Sequence, residues 1–288
     1  MSRSIADKLK INSYMDIIGG DCAEIVNVPI VDLYEFKDHP FRVLDDEKME
    51  ETVESIRQNG VLNPGIVRPR IDGGYEIIAG HRRKRACEIL GLKEMPVIIR
   101  NYSDEEAIVT MVDTNIQRED ILPSEKAHAY KMKFDAMKHQ GSAGGNTLNT
   151  IGQASGESGK TVQRYIRLAE LSEPLLKMVD NKKIPIRSGV ELSYLKGKEQ
   201  EWVEDILKKC DVVLTPGKAE KIRWSSESKE LTKARTQEII NQRRNKRKIV
   251  IKNESLDSYF PENMTDKEIE DVIFMLLDKW KQGKAAGR

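Results

Sequence analysis

Residues 75–86 read Tyr75-Glu76-Ile77-Ile78-Ala79-Gly80-His81-Arg82-Arg83-Lys84-Arg85-Ala86. The first five residues read as a strand, Gly80 breaks it, and His81–Leu90 reads as a short helix closed by Gly91. A helix N-terminus carries free N–H groups and a partial positive charge, so each cation in its first turn is unfavourable by about 0.3–1 kcal/mol. Arg82, Arg83, Lys84 and Arg85 crowd that turn, which makes sense if an anion docks there. Gly80 permits close approach, the amides point at the ligand, and guanidiniums meet phosphate oxygens in bidentate contacts. The alternative is that these side chains fan into solvent or pair with Glu76 and Glu88.

Working outward, Ile25–Ile30 alternates like a strand, and Asp45 or Asp46 can cap a helix that carries Met49, Val53 and Ile56 on one face and stops at Gly60. Gly65–Ile71 and Tyr75–Ala79 form two strands about the Asp72-Gly73-Gly74 turn, and Met95–Arg100 is another. Ser103–Gln117 and Pro123–Gln140 are helical. In 113–120 (DTNIQRED), an amide and a guanidinium at Asn115 and Arg118 share a helix face, an arrangement suited to polyphosphate or to ordinary capping. Cys87, flanked by Ala86, Ile89 and Leu90, reads as a small core residue rather than a nucleophile.

GHRRKRA (80–86), NIQRED (115–120) and LPSEKA (122–127) together resemble the ParB family of chromosome and plasmid partition proteins. NGVLNPGIVRP (59–69) resembles that family's first nucleotide-domain motif, and HPFR (39–42) its proline-arginine segment. The resemblance covers roughly residues 25–200. It implies an N-terminal domain, on a scaffold shared with sulfiredoxin, that binds CTP with Mg2+. By position, Gly80, His81, Arg82 and Arg83 lie at the triphosphate, Asn115, Gln117 and Arg118 complete the site, and Asn63 and Pro64 lie near the base or ribose. Two positions depart from the family: His81 and Thr114 stand where relatives carry Glu. Magnesium prefers oxygen ligands, and neither residue supplies a carboxylate. Asp113 is one position away, rotated by roughly 100° on a helix. Nucleotide binding with slow CTPase turnover is therefore the expectation.

Thr147–Ala154, the turn Ser155-Gly156-Glu157 and Ser158–Leu171 have the layout of a helix-turn-helix, with Ser158 capping the second helix. Val162 and Ile166 face inward, leaving Lys160, Thr161, Gln163, Arg164 and Arg167 to meet DNA in the major groove. A plain helical module with a polar outer face is the alternative. Further short helices are expected at Pro174–Asn181 and Arg187–Tyr194. Lys218–Lys252 holds twelve Lys and Arg against four Glu, although the 288-residue chain has a net charge of only +1. Its densest run, including Arg243, Arg244, Arg247 and Lys248, lacks interleaved aromatics and suits sequence-neutral phosphate contact. The strand-like Ile249–Lys252 and the apolar stripe Ile269, Val272, Ile273, Leu276, Leu277 and Trp280 suggest docking against a second copy, as relatives dimerise C-terminally.

Hydrophobic residues at 39%, charged at 33% and aromatic at 6% favour small modules with polar connections. The longest apolar run, Val272–Leu277, cannot span a membrane. No signal peptide is evident and three scattered cysteines argue against a disulfide framework, so a cytoplasmic, nucleoid- or plasmid-associated chain is expected. The fold expected is α+β: a flexible arm at 1–24, a mixed α/β nucleotide-binding domain at 25–140, an all-α DNA-binding domain at 141–215, a basic helical linker at 216–248 and a C-terminal dimerisation element at 249–288. The expected function is a dimeric, CTP-gated DNA clamp that loads at a centromere-like site and also binds DNA non-specifically. A ParA-type ATPase is a further expected partner, with Arg3, Lys8 and Lys10 in the arm as its contact. The rivals are a helix-turn-helix transcriptional regulator that has lost nucleotide binding, and a nuclease or sulfiredoxin-like enzyme. The sulfiredoxin motif places Cys after its glycine, where this chain has His81.

Overall fold

The structure, a computed structural model, describes residues 24–118, 120–139, 145–210, 212–242, 256, 259–261 and 263–285. Two compact units divide the chain, 1–241 and 242–288. In the first, β1 (Ile25–Pro29) leads through a single 3-10 turn to β2 (Leu33–Tyr34). Then follow α1 (Glu47–Asn59), β3 (Gly65–Pro69), β4 (Tyr75–Ala79), α2 (His81–Ile89) and β5 (Glu94–Ile99). The sheet order is β1-β5-β3-β4-β2. β1–β5 and β3–β4 are antiparallel, whereas β3–β5 and β2–β4 are parallel.

Both sheet faces are covered, which is why its central strands read as continuous apolar runs. On one face Val67, Ile77 and Val97 pack with Met49, Val53 and Ile56 of α1 and with Ala86 and Cys87 of α2. Asp46 starts α1 by accepting the Met49 N–H at 2.9 Å, and Gly60 ends it at φ 70°. Burial raises the Cys87 thiol pKa, consistent with an inert core cysteine. Strand β1 alternates only near its end: Val28 and Ile30 are buried, while Ile25 and Val26 lie on an exposed edge. The strand β2 was not foreseen, because two residues carry no periodicity.

Helices α3 (Asp104–Asn115) and α4 (Pro123–His139) cover the other face. Ser103 opens α3 with a reciprocal capping box to Glu106. Helices α5 (Gly145–Ser155) and α6 (Gly159–Leu168) follow. Their Ile151 and Val162 join Ile66 and Ile78 of the sheet in one hydrophobic core. The expected modules at 25–140 and 141–215 thus share packed side chains. Leu168, at the far end of α6, enters a second core built by α7 (Glu173–Asp180), α8 (Ile186–Leu192), α9 (Gly197–Lys209), α10 (Pro216–Glu227) and α11 (Lys233–Asn241). The stretch read as a basic linker contributes Ala219, Ile222, Ile239 and Ile240 to that core. Among its described cations, Arg223 pairs with Glu191 and Glu227, and Lys233 with Asp205 at 2.5 Å.

In the second unit, α12 (Asp266–Ala285) leaves Ile273, Leu276, Leu277 and Trp280 lining a shallow apolar groove. Among the described residues no helix is long and apolar enough to cross a membrane. The N-terminal arm with Cys22, residues 141–144 and the expected strand Ile249–Lys252 lie outside the described residues.

Candidate functional site: a cationic helix start

Gly80 sits at φ 111°, a backbone that side chains rarely adopt, and a Cβ there would come within 3.2 Å of the Gly65 Cα. This close approach lets β4 turn directly into α2 against the start of β3. Arg83 folds back over the turn, donating to the Pro64 carbonyl at 2.8 Å and to the Asn63 carbonyl. Four expected positions, Asn63, Pro64, Gly80 and Arg83, therefore form one cluster. Arg82 donates to Asp46 Oδ1 at 3.0 Å and holds that carboxyl below its ordinary pKa. Arg85 turns to Asp45 at 2.7 Å and Lys84 to Glu88 at 3.5 Å. The alternative of internal pairing thus accounts for Arg82, Lys84 and Arg85, with Asp46, Glu88 and Asp45 as partners, whereas Glu76 pairs with Arg68 instead.

His81 is buried, and its ring centroid lies 3.9 Å from that of His39. His39 Nδ1 meets the Phe41 carbonyl at 2.7 Å, while the Nε2 atoms of both rings are buried without a hydrogen-bond partner among the described residues. Burial, then the charges of His39, Arg118, Lys84 and Arg83, push His81 well below the ordinary imidazole pKa. Burial, followed by Arg82, lowers Arg118 as well. Arg118, beyond the end of α3, is thus within electrostatic reach of Arg82 and Arg83. His39 was quoted in the sequence only as part of HPFR. No helical spacing links it to His81; the loop before α1 delivers it.

The other expected residues from the second constellation are committed differently. Asn115 is buried, and its amide donates to the Met111 carbonyl at 2.8 Å. It does not share a helix face with Arg118, since α3 ends at Asn115 and Arg118 donates its N–H to the Asn115 carbonyl across a turn. Gln117 donates to the Ala154 carbonyl of α5 at 3.2 Å. Thr114 bonds back to its own helix at Thr110 and Met111. Asp113 accepts from Lys133 of α4, with side chains only 11% and 5% exposed. It is therefore engaged inside the fold rather than offered to a metal.

The site fits a polyphosphate: a helix start without a side-chain cap, two guanidiniums on its first turn and, among the described residues, an imidazole nitrogen lacking a partner all favour an anion. It does not fit magnesium held by protein carboxylates. Among the described residues no three His, Cys, Asp or Glu side chains are grouped to hold a metal.

The expected DNA-facing residues divide. Gly156, at φ 70°, makes the turn between α5 and α6, and Ser158 caps α6 by accepting the Thr161 N–H at 3.2 Å. Lys160, Gln163 and Arg164 are exposed, whereas Thr161 also meets Ser158 Oγ through its hydroxyl at 2.9 Å. Arg167 is taken up by the fold: its guanidinium stacks 4.1 Å from the Tyr194 ring and donates to the Ser193 carbonyl at 2.8 Å. Arg243, Arg244, Arg247 and Lys248 lie outside the described residues.

Residues 18–116 match the ParB N-terminal domain family. The chain is 41% identical over 141 residues to the probable chromosome 1-partitioning protein ParB of Deinococcus radiodurans, covering 49% of this chain and 46% of that protein. It thus spans about half the length of that relative. It is 32% identical over 200 residues to the nucleoid occlusion protein of Listeria monocytogenes, covering 69% and 68% of the two chains. Among solved structures it resembles C-terminally truncated ParB from Caulobacter crescentus complexed to the centromeric parS site (24% identity, 69% of this chain and 99% of that one, TM-score 0.44). The same protein complexed with CTP-gamma-S matches at 29% identity over 60% and 93% of the chains, with a TM-score of 0.31. Residues 18–116 hold the sheet and its cationic helix start, the match to the Listeria protein is twice as long, and the chain belongs to the ParB family.

Proposed function

We propose that this protein binds a centromere-like DNA site through α5 and α6, a helix-turn-helix, and gates a dimeric DNA clamp by binding CTP at the start of α2. The observation that carries the nucleotide half is the glycine-bounded start of α2, where Arg82 and Arg83 adjoin the buried His81, whose Nε2 has no partner among the described residues. Binding draws on helix amides and guanidiniums, whereas hydrolysis needs an aligned water and a held metal. CTP binding with slow turnover is the reading that follows. Homodimerisation is assigned to the exposed stripe of α12, sequence-neutral DNA contact to the run 243–248, and a ParA-type ATPase contact to the N-terminal arm. The site of action would be the nucleoid, or a plasmid, in the cytoplasm. Selection of bound sequences from a genomic library identifies the DNA site.

The test is CTP titration with and without the selected DNA site. Arg82→Ala should weaken CTP binding by about 1.5–3 kcal/mol, the range for a hydrogen bond to a charged group, with the protein still folded and bound to its site. Unchanged CTP affinity in the variant would remove Arg82 from the site. The second reading, a regulator without nucleotide, is favoured by the Arg82–Asp46 pair and by Arg83 capping the carbonyls at 63 and 64. Absence of CTP binding under all conditions would select it.

On the DNA side, Gln163→Ala or Arg164→Ala should weaken the specific complex by about 1–3 kcal/mol with little change on random DNA. Arg167→Ala should instead lower unfolding stability, because its guanidinium is stacked on Tyr194. Gel-shift titrations and thermal melts on the three variants distinguish these roles. A pure specificity loss at Arg167 would return it to the DNA-reading face.

A further inference from the structure

His81 Nε2 and His39 Nε2 are buried polar atoms with no hydrogen-bond partner among the described residues, and their rings stack at 3.9 Å with a 40° tilt. An orphaned buried polar atom is costly, and a native site that keeps two side by side calls for an explanation. The charged groups around them come from several elements. Arg83 and Lys84 of α2 and Arg118 beyond α3 act on His81, and all three repel a proton. Glu35 and Arg118 act on His39 in opposite senses, and Glu125 of α4 acts on Arg118 while also accepting the Arg42 N–H at 2.9 Å. Among the described residues no carboxylate joins the groups acting on His81. Burial therefore disfavours charge on both imidazoles, and on the His81 side the neighbouring cations add to it.

We propose that the stacked His39–His81 pair is a proton-linked ligand of the polyphosphate: a nucleotide docking on the α2 start fills the vacant hydrogen-bonding position at His81 Nε2, and the pair takes up a proton as it binds. This deepens the nucleotide reading and rests on it. A triphosphate reverses the sign of the local field, and a charged imidazole bonds to it more strongly than a neutral one. The proton then stands where a divalent cation would otherwise offset part of the phosphate charge. The linkage has a definite sign. The bound-state pKa lies above that of the free state, so affinity rises as pH falls between the two, by at most about tenfold per pH unit for one proton. Below the free-state pKa the dependence levels off.

The experiment is calorimetric titration of the full-length protein with CTP and EDTA in buffers of different ionisation enthalpy, at pH 6.5 and 7.5. It is paired with histidine ring NMR shifts of the unmodified protein across pH, with and without CTP. Expected are net proton uptake on binding, an upward shift of one buried histidine titration, and tighter binding at the lower pH. His81→Gln keeps an amide donor but cannot titrate, so it should bind CTP without proton uptake; His39→Gln should weaken the linkage. CTP binding in the unmodified protein without proton uptake and without a shifted histidine would overturn the inference and leave the nucleotide site standing. No CTP binding at either pH, with or without magnesium, would overturn both. The NMR arm needs no substitution, so a misfolded variant does not block the decision.

Discussion

Lys133→Ala should lower the unfolding free energy by about 3–5 kcal/mol, the cost of leaving a buried charge without its partner. Lys133 and Asp113 face each other between α4 and α3 with side chains 5% and 11% exposed, so Asp113 cannot recover hydration when the ammonium is removed. Pairing Lys133→Met with Asp113→Ala should recover much of the loss, because removing both charges removes the desolvation problem. The measurement is urea unfolding of both single variants and the double. The same set decides what Asp113 is for. If it served as an oxygen donor for magnesium, Asp113→Ala would leave stability nearly intact and change magnesium-dependent CTP turnover. A stability loss below about 1 kcal/mol for both single variants, the level of an exposed pair, would show that the ion pair is not the role of these residues.

Gly152→Ala is the second large effect. On an open helix this change would help by about 1 kcal/mol through helix propensity. Here a Cβ would lie 2.3 Å from the Glu157 carbonyl oxygen, a backbone atom of the turn that folds over α5. The Glu157 N–H also donates to the Gly152 carbonyl at 2.8 Å, so the turn cannot lift away without losing that bond. Overpacking of this kind should cost about 3 kcal/mol net and should misplace α6, with loss of specific DNA binding. Gly217→Ala is the control, since nothing lies within 4 Å of its Cβ position, and it should be neutral or slightly stabilising. Equal melting temperatures for the two variants would mean that the turn at 156–158 yields more readily than its contacts indicate.

The internal pairing of the cations also carries a lesson about the site. Arg82 and Arg83 are held by Asp46 and by the carbonyls at 63 and 64 before any ligand arrives. A guanidinium with an orienting partner loses less freedom when it binds, so these contacts pre-position the site at the expense of competing with the ligand. Which effect wins is what the Arg82→Ala titration reads.

The sequence by itself determined the elements that local chemistry controls. A capping aspartate at 45 or 46, the apolar triplet Met49, Val53 and Ile56, the stop at Gly60, the strands flanking Gly73 and Gly74, and the capping residues Ser103 and Ser158 all follow from short-range hydrogen bonding, periodicity and φ. The cationic start of α2 was legible for the same reason, since four basic residues after one glycine violate the helix dipole within a single turn. Only the tertiary structure decided what lies far apart in the chain. It stacked His39 on His81, turned Asp113 toward Lys133, closed the Asn115 amide on its own helix and laid Arg167 on Tyr194. It also drew α10 and α11 into a core, although their net charge had read as a linker. Charge counts the residues that remain in water, whereas Ala219, Ile222, Ile239 and Ile240 decide the packing from a stripe too sparse to stand out among lysines. A side chain's partner across the fold is set by where the sheet and helices bring it, and no spacing along the chain encodes that distance.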